Sequence, residues 1–240
     1  MHHALHQFLI KEIVPIEVMG INISFTNSSL FMFVAIAGIM IFQLAGTRQA
    51  ALVPGRFQSM VELSYEFIAD MLKENVGRDG MQYFPLIFSV FMFILLSNLL
   101  GMLPYAFTVT SQIVVTFSLA MMIFITVTVI GFVKNGRKFF RTFFPEGAPL
   151  AVAPILIPIE IISYFMRPLT LSIRLFANML AGHVILKVFA GFAITMGIFG
   201  VAPLAINIAV TGFEFFVAAI QAYIFTILSC LYLHDALHMH

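Results

Sequence analysis

"LSIRLFANMLAGH", residues 171–183, carries Arg174, Asn178 and His183 between long, mostly apolar flanks. A guanidinium at the centre of a bilayer costs roughly 2.5–3.5 kcal/mol on insertion scales and on the order of 10–17 kcal/mol on a lone helix. The stretch around it, Ala148 to Leu233, is apolar almost throughout and far too long for two upright helices. It contains Pro149, Pro154, Pro158, Pro168 and Pro203, and the ionisable residues Glu160, Arg167, Arg174, His183, Lys187 and Glu214. The pattern predicts two long helices, near 150–195 and 203–235, joined at "TMGIFGVAP" (195–203). At 1.5 Å per residue both exceed a hydrocarbon core of about 30 Å. They must tilt strongly or run partly in the membrane plane.

Composition agrees with a membrane setting. Hydrophobic residues make up 61% of the 240 and charged residues 10%, whereas soluble domains carry about 25% charged residues. The net charge of +1 gives no sign of nucleic-acid binding, and the lone Cys230 rules out an internal disulfide. The opening "MHHALHQFLIKEIVPIEVMG" has neither the basic n-region and apolar core of a secretory signal nor the Arg/Ser-rich character of a transit peptide. That points to a bacterial inner membrane, or to the mitochondrial inner membrane for an organelle-encoded chain.

Working outward, the mixed N-terminal segment (1–25) leads into "SFTNSS", a helix N-cap run. A transmembrane helix is expected over 26–46, then a loop broken by Pro54-Gly55. Residues 56–74 differ. Phe57, Met60, Val61, Ser64, Ile68 and Met71 share one face, and Glu62, Glu66, Asp70 and Glu74 recur every four residues on another. Such a helix is too polar to span and is expected on the membrane surface or against another subunit. Spans of about twenty residues follow over 82–103 and 113–133, joined by the short uncharged link "PYAFTVTSQ". Lys134, Arg137, Lys138 and Arg141 then mark an inside loop. By alternation the N-terminus, the 104–112 link and the 196–203 turn lie outside; the surface helix and the C-terminus lie inside. No internal repeat is visible.

Glu160, Arg167 and Arg174 are seven apart and Asn178 is four further on, one polar stripe on a helix. His183 lies about half a turn off that stripe, with Lys187 one turn beyond it. Asn207, Glu214 and Gln221 repeat the seven-residue spacing on the second long helix. Bland readings exist. Glu160 and Arg167 can be a neutralised pair, Asn207 an interhelical hydrogen bond, and Lys187 a snorkelling side chain. Arg174 has no acid three or four positions away and cannot shed its charge, so it is a functional candidate. His183 titrates near neutral pH when unperturbed. A transmembrane haem protein would need more intramembrane histidines, and a retinal protein seven spans. Metal spacings, a phosphate-cradling glycine loop and a nucleophile elbow are absent, so covalent chemistry and cofactors are not expected.

"SIRLFANMLAGH", followed by "AVTGFEFFVAAIQAYIFTIL", resembles subunit a of the F-type ATP synthase. "SFTNSSLF", "MVELSYEFI", "SNLLGMLPYAFTVTSQ" and "IGFVKNG" continue the likeness in order along nearly the whole chain, closest to the alphaproteobacterial and mitochondrial branch. The resemblance implies an all-α membrane protein: one transmembrane helix, a surface helix, two upright helices and a long tilted hairpin (148–235) against a ring of subunit c. It makes Arg174 the essential arginine, Asn178 its nearby asparagine and Gln221 the glutamine of the facing helix. His183 and Glu214 hold positions whose acid and histidine are exchanged in many bacterial relatives, which implies proximity across the hairpin. Glu160, on the Arg174 stripe, joins them as a candidate. Implied partners are the c ring, peripheral-stalk subunit b, other ATP synthase subunits, the bilayer and protons as the transported ion.

In that setting each ring subunit carries a carboxylic acid, neutral when facing lipid because unpaired charge there is prohibitive. Arg174 favours its ionised form and repels hydronium, so that two half-channels connect only through rotation. Two other classes stand beside this reading. A secondary transporter would work alone and show solute-dependent transport, and a purely structural anchor would tolerate Arg174→Ala.

Overall fold

The computed structural model describes residues 10–238 apart from 16, 19–20, 23, 49–50, 52, 104–105 and 144–151. Thus the first nine residues of the N-terminal segment, Pro104 and Tyr105 of the link, and residues 148–151 with Pro149 lie outside the described residues. Six α-helices account for most of the rest: α1 (Asn27–Thr47), α2 (Arg56–Asn75), α3 (Phe84–Gly101), α4 (Ile113–Asn135), α5 (Ala153–Thr195) and α6 (Val201–Leu237). Five of these segments are long and apolar enough to cross a membrane; α2 is the exception. The all-α architecture expected from the sequence is the observed one.

Ahead of α1 the sequence reading assigned no structure, and four strands of two or three residues pair there. β1 (Glu12–Val14) runs antiparallel to β4 (Phe25–Thr26), and β2 (Glu17–Val18) to β3 (Ile21–Asn22). They form no sheet core. Thr26 then caps α1, its hydroxyl accepting from the Ser29 amide at 3.3 Å, as the "SFTNSS" run leads one to expect.

α2 departs in detail from its helical-wheel reading. Val61, Ile68, Ala69, Met71 and Leu72 are buried, whereas Phe57 and Met60, assigned to the same face, remain half exposed. The wheel treats a helix as having one neighbour. Here only the middle and end of α2 reach the common core, while its start lies against α1 and the preceding loop, the Phe57 ring tilted 5.7 Å from Phe42 and Gln58 bonded to Ala51.

One core runs through α2 to α6. It gathers Ile68 and Leu72 of α2, Ile87, Phe91 and Ile94 of α3, Ile123 of α4, Leu171, Leu175 and Met179 of α5, and Phe225 and Leu233 of α6. α6 supplies small residues to the seam, Ala218, Ala222 and Cys230, all fully buried. Small side chains let membrane helices approach closely where apolar burial itself gives little drive.

α5 has 43 residues and α6 has 37, about 65 and 55 Å at 1.5 Å per residue. Pro158 and Pro168 lie inside α5 without ending it, each removing one backbone hydrogen bond. The hairpin turns through Gly197–Gly200, where Gly197 takes φ +58°, a conformation open to glycine at little cost.

Candidate functional site

The link between α3 and α4 decides the geometry of the site. The sequence places it as an outer connection. Whichever side of the membrane it faces, Ala106–Ser111 fold inward among the helices, each residue no more than 7% exposed. Its backbone polarity is answered locally: the Ser111 hydroxyl donates to the Thr108 carbonyl at 2.6 Å, and Val109–Ser111 form a single 3-10 turn. A buried loop is tolerated when such groups are satisfied.

Thr108 and Thr110 face different partners. Thr110 donates its hydroxyl proton to Asn98 Oδ1 at 2.6 Å, and Asn98 Nδ2 donates to the Ala218 carbonyl at 3.1 Å. That bracket ties the link and α3 to α6 one turn after Glu214. Thr108 Oγ1 lies 2.8 Å from His183 Nε2 on α5 and 3.3 Å from the Gly101 carbonyl. The other ring nitrogen, Nδ1, stands 3.7 Å from Glu214 Oε1. The imidazole therefore bridges the link and α6, and all three side chains are buried.

The close approach of Glu214 requires a missing side chain. A Cβ on Gly182 would sit 2.5 Å from Glu214 Oε1 and 2.7 Å from its Cδ. Neither carboxyl oxygen has a hydrogen-bond partner among the described residues. The pair can hold one shared proton in two ways, on the carboxyl beside a neutral imidazole or on the imidazole beside a carboxylate. A proton thus has two adjoining stations inside the helix bundle.

A second polar cluster closes the other end of the hairpin. Arg167 Nη1 donates to Asp235 Oδ2 at 3.2 Å, and its guanidinium lies over the rings of Tyr164 and Tyr232, 5.3 and 5.1 Å from their centroids. Tyr164 also shares a 2.7 Å hydrogen bond with Thr128 of α4. The structural pairing considered for Glu160 and Arg167 is thus not the one adopted: the ion pair of Arg167 runs across the hairpin to Asp235. The wheel compares positions within one helix and cannot see a partner 68 residues away.

These two cross-links set the antiparallel register of α5 on α6. Interpolation between His183–Glu214 and Arg167–Asp235 places Gln221 level with Asn178, one turn beyond Arg174. Gln221 is buried and Asn178 half-buried. Glu160, half-buried, belongs to a part of α5 that extends past the end of α6. Arg174 is in neither of these pairs. It is exposed, and among the described residues no carboxylate lies within ion-pair distance of it. Beside it Ile159, Ile162, Met166, Leu169 and Ile173 form a bare apolar stripe, each 37–62% exposed.

A family model described as ATP synthase A chain matches residues 29–234. The chain belongs to the ATP synthase A chain family. It is similar over its whole length to the ATP synthase subunit a of Rhodospirillum rubrum, at 55% identity covering 100% of both chains. The subunit a of Parvibaculum lavamentivorans is 55% identical, with 98% of this chain and 93% of the relative covered. That of Rhizobium etli (strain CIAT 652) is 56% identical, with 97% and 96% covered. As a family member the chain is a multi-pass, proton-translocating membrane subunit of the complex and is not catalytic alone.

Sequence reasoning missed Asn98, Thr108, Thr110 and Gly182 at the site, and Asp235 at the clamp. The signal was present for the first three. Asn98 interrupts an apolar span, and "TVTS" puts three hydroxyls into a link that could have been apolar. Gly182 carries no signal that separates it from any other glycine of a membrane helix.

Proposed function

We propose that the chain is the stator of a rotary F-type ATP synthase, with two offset half-channels carrying protons to and from carboxylates on a ring of subunit c. The observation that carries this reading is the environment of Arg174: a permanent cation, exposed in mid-helix beside a bare apolar stripe. In hydrocarbon that arrangement is costly by itself. It is relieved by a partner that brings an apolar wall and a carboxylate, which is what a ring of acid-bearing helices offers. A passing acid ionises opposite Arg174 and pairs with it, then regains a proton before meeting lipid. The arginine also repels hydronium and separates the two half-channels.

The Thr108–His183–Glu214 track serves the half-channel on the side of the 104–112 link. Asn178 and Gln221, level with each other next to Arg174, line the handover to the ring, and Glu160 belongs to the opposite half-channel. Peripheral-stalk subunit b holds the chain against rotation. A titratable imidazole favours H⁺ over Na⁺ as the transported ion. The alphaproteobacterial relatives favour the bacterial inner membrane. The test is Arg174→Ala in the assembled complex. Coupled ATP synthesis is lost while the subunits still co-purify; ATP-driven proton pumping at the parent rate would overturn the proposal.

A further inference from the structure

Resting on that proton-path reading, we infer that the Thr108 hydroxyl selects which nitrogen of His183 carries the proton, and so sets how protons load onto Glu214. A hydroxyl has one proton and two acceptor lone pairs. Around Thr108 Oγ1 stand two acceptors, the Gly101 carbonyl at 3.3 Å and His183 Nε2 at 2.8 Å. Only one can receive the proton at a time.

When Thr108 donates to the Gly101 carbonyl, its oxygen accepts from Nε2–H. Nδ1 is then bare and faces Glu214, 3.7 Å away, which must be the neutral acid to complement it. When the hydroxyl turns to Nε2, the ring proton sits on Nδ1 and faces a Glu214 carboxylate. Rotation of one C–O bond and the tautomer of His183 are therefore linked.

The two states differ by one proton. Loading starts with the hydroxyl turned to Nε2. A hydronium arriving through the half-channel proposed above gives a proton to Oγ1 and becomes water. The former hydroxyl proton passes to Nε2, breaking an O–H and forming an N–H bond. Once the flexible Glu214 carboxylate closes from 3.7 Å to hydrogen-bond distance, Nδ1–H passes its proton to Oε1, breaking that N–H and forming the acid. Thr108 remains a hydroxyl, His183 remains neutral, and Glu214 has gained the proton.

The fold holds the hydroxyl for this task. Thr108 is 1% exposed, and its carbonyl is fixed by Ser111 at 2.6 Å. Gly101 makes the room: a Cβ there would lie 2.7 Å from Thr108 Cγ2 and 2.9 Å from Oγ1. Among the described residues, the charged or titratable groups shown against the imidazole are Glu214 of α6 and Lys187, one turn on along α5. The described part of the link contributes only uncharged groups.

The experiment uses the intact complex in inverted membrane vesicles. Initial rates of ATP-driven proton pumping are measured in H₂O and D₂O for the parent, Thr108→Val, Thr108→Ala, Thr108→Ser and His183→Ala, with assembly read by subunit co-purification. Thr108→Val slows pumping roughly three- to tenfold, the rate equivalent of one lost hydrogen bond, and raises the solvent isotope effect because proton transfer becomes limiting. Thr108→Ser, which keeps the hydroxyl, returns both towards the parent. Parent-like pumping and isotope effect in Thr108→Val overturn the inference, and so do Val and Ser variants that are equally slow. If Thr108→Val fails to assemble, Thr108→Ala against Thr108→Ser decides on the same criteria; loss of assembly in Ala as well assigns a structural role and overturns the inference. Parent-like pumping in His183→Ala refutes the His183–Glu214 route itself, a separate failure.

Discussion

Gly182→Ala tests the geometry of the His183–Glu214 pair with one methyl group. The new Cβ would meet Glu214 Oε1 at 2.5 Å, and an ordinary contact begins near 3.4 Å. The carboxyl must therefore give way by about 0.9 Å. It is the far end of a flexible side chain, so the fold adapts: an off-rotamer glutamate costs about 0.5–1.5 kcal/mol, at the low end of the 1–3 kcal/mol typical of overpacking. Assembly should survive. Proton transfer is less forgiving. The carboxyl now stands 3.7 Å from His183 Nδ1, and a misplacement of ~1 Å at a reacting centre costs up to about 10²-fold. The expected outcome is normal co-purification of subunits with ATP-driven pumping in inverted vesicles slowed ten- to a hundredfold, on the order set by that misplacement. Adding Glu214→Asp withdraws the carboxyl by one methylene and should recover part of the loss, although Glu214→Asp alone slows pumping by widening the gap to His183. A Gly182→Ala complex that pumps at the parent rate would refute the claim that this close approach matters to proton flow.

Other outcomes follow from the same geometry. Lysine at position 174 should restore little of what Arg174→Ala loses, because it lacks the planar fork and can give up its proton when desolvated; full coupling in Arg174→Lys would contradict this. His183→Ala and Glu214→Ala should each slow proton flux, and the double variant should be little worse than the more damaging single, since contacting residues do not add; strictly additive losses would show that they act separately. Asp235→Asn should weaken the hairpin clamp by about 1 kcal/mol or less, the pair being partly exposed, seen as a lower melting temperature of the complex with pumping retained; a severe assembly defect would mean the clamp matters far more. For topology, cysteines at 113 and 138 on a Cys230-free background should label from opposite sides; labelling of both from one side would overturn the alternation.

The long hairpin was legible because its pattern is local. Seven-residue spacing of Glu160, Arg167 and Arg174 is a property of one helix, and apolar length alone separates α5 and α6 from ordinary spans. The nearness of His183 and Glu214 was reached only through the resemblance, since a helical wheel of α5 says nothing about α6. What stayed hidden is non-local. The inward path of Ala106–Ser111 depends on Thr110 meeting Asn98 and on Thr108 meeting His183, 75 residues away. A short uncharged link reads the same whether it turns in water or in a helix bundle. The Arg167–Asp235 pair escaped for the same reason.

The two chemistries of α5 are separated by who supplies the wall. His183 is covered on every side by this chain: Thr108 from the link, Glu214 from α6, and Met179 one turn away, itself fully buried. Its surroundings are complete without any partner, and in the proposed relay the shared proton is held by groups of this chain alone. Arg174 is the reverse case. Its helix neighbours Leu171, Ser172 and Leu175 are buried against the other helices, with Ser172 bonded to Thr116 at 3.1 Å, while Arg174 itself is exposed. In the proposed rotary mechanism this charge meets a succession of moving carboxylates, and an acid resident in its own chain would neutralise it permanently. A proton relay that must hold still gains from being enclosed. On the proposed reading the same helix meets both demands by placing the two residues nine positions apart, about half a turn around its axis.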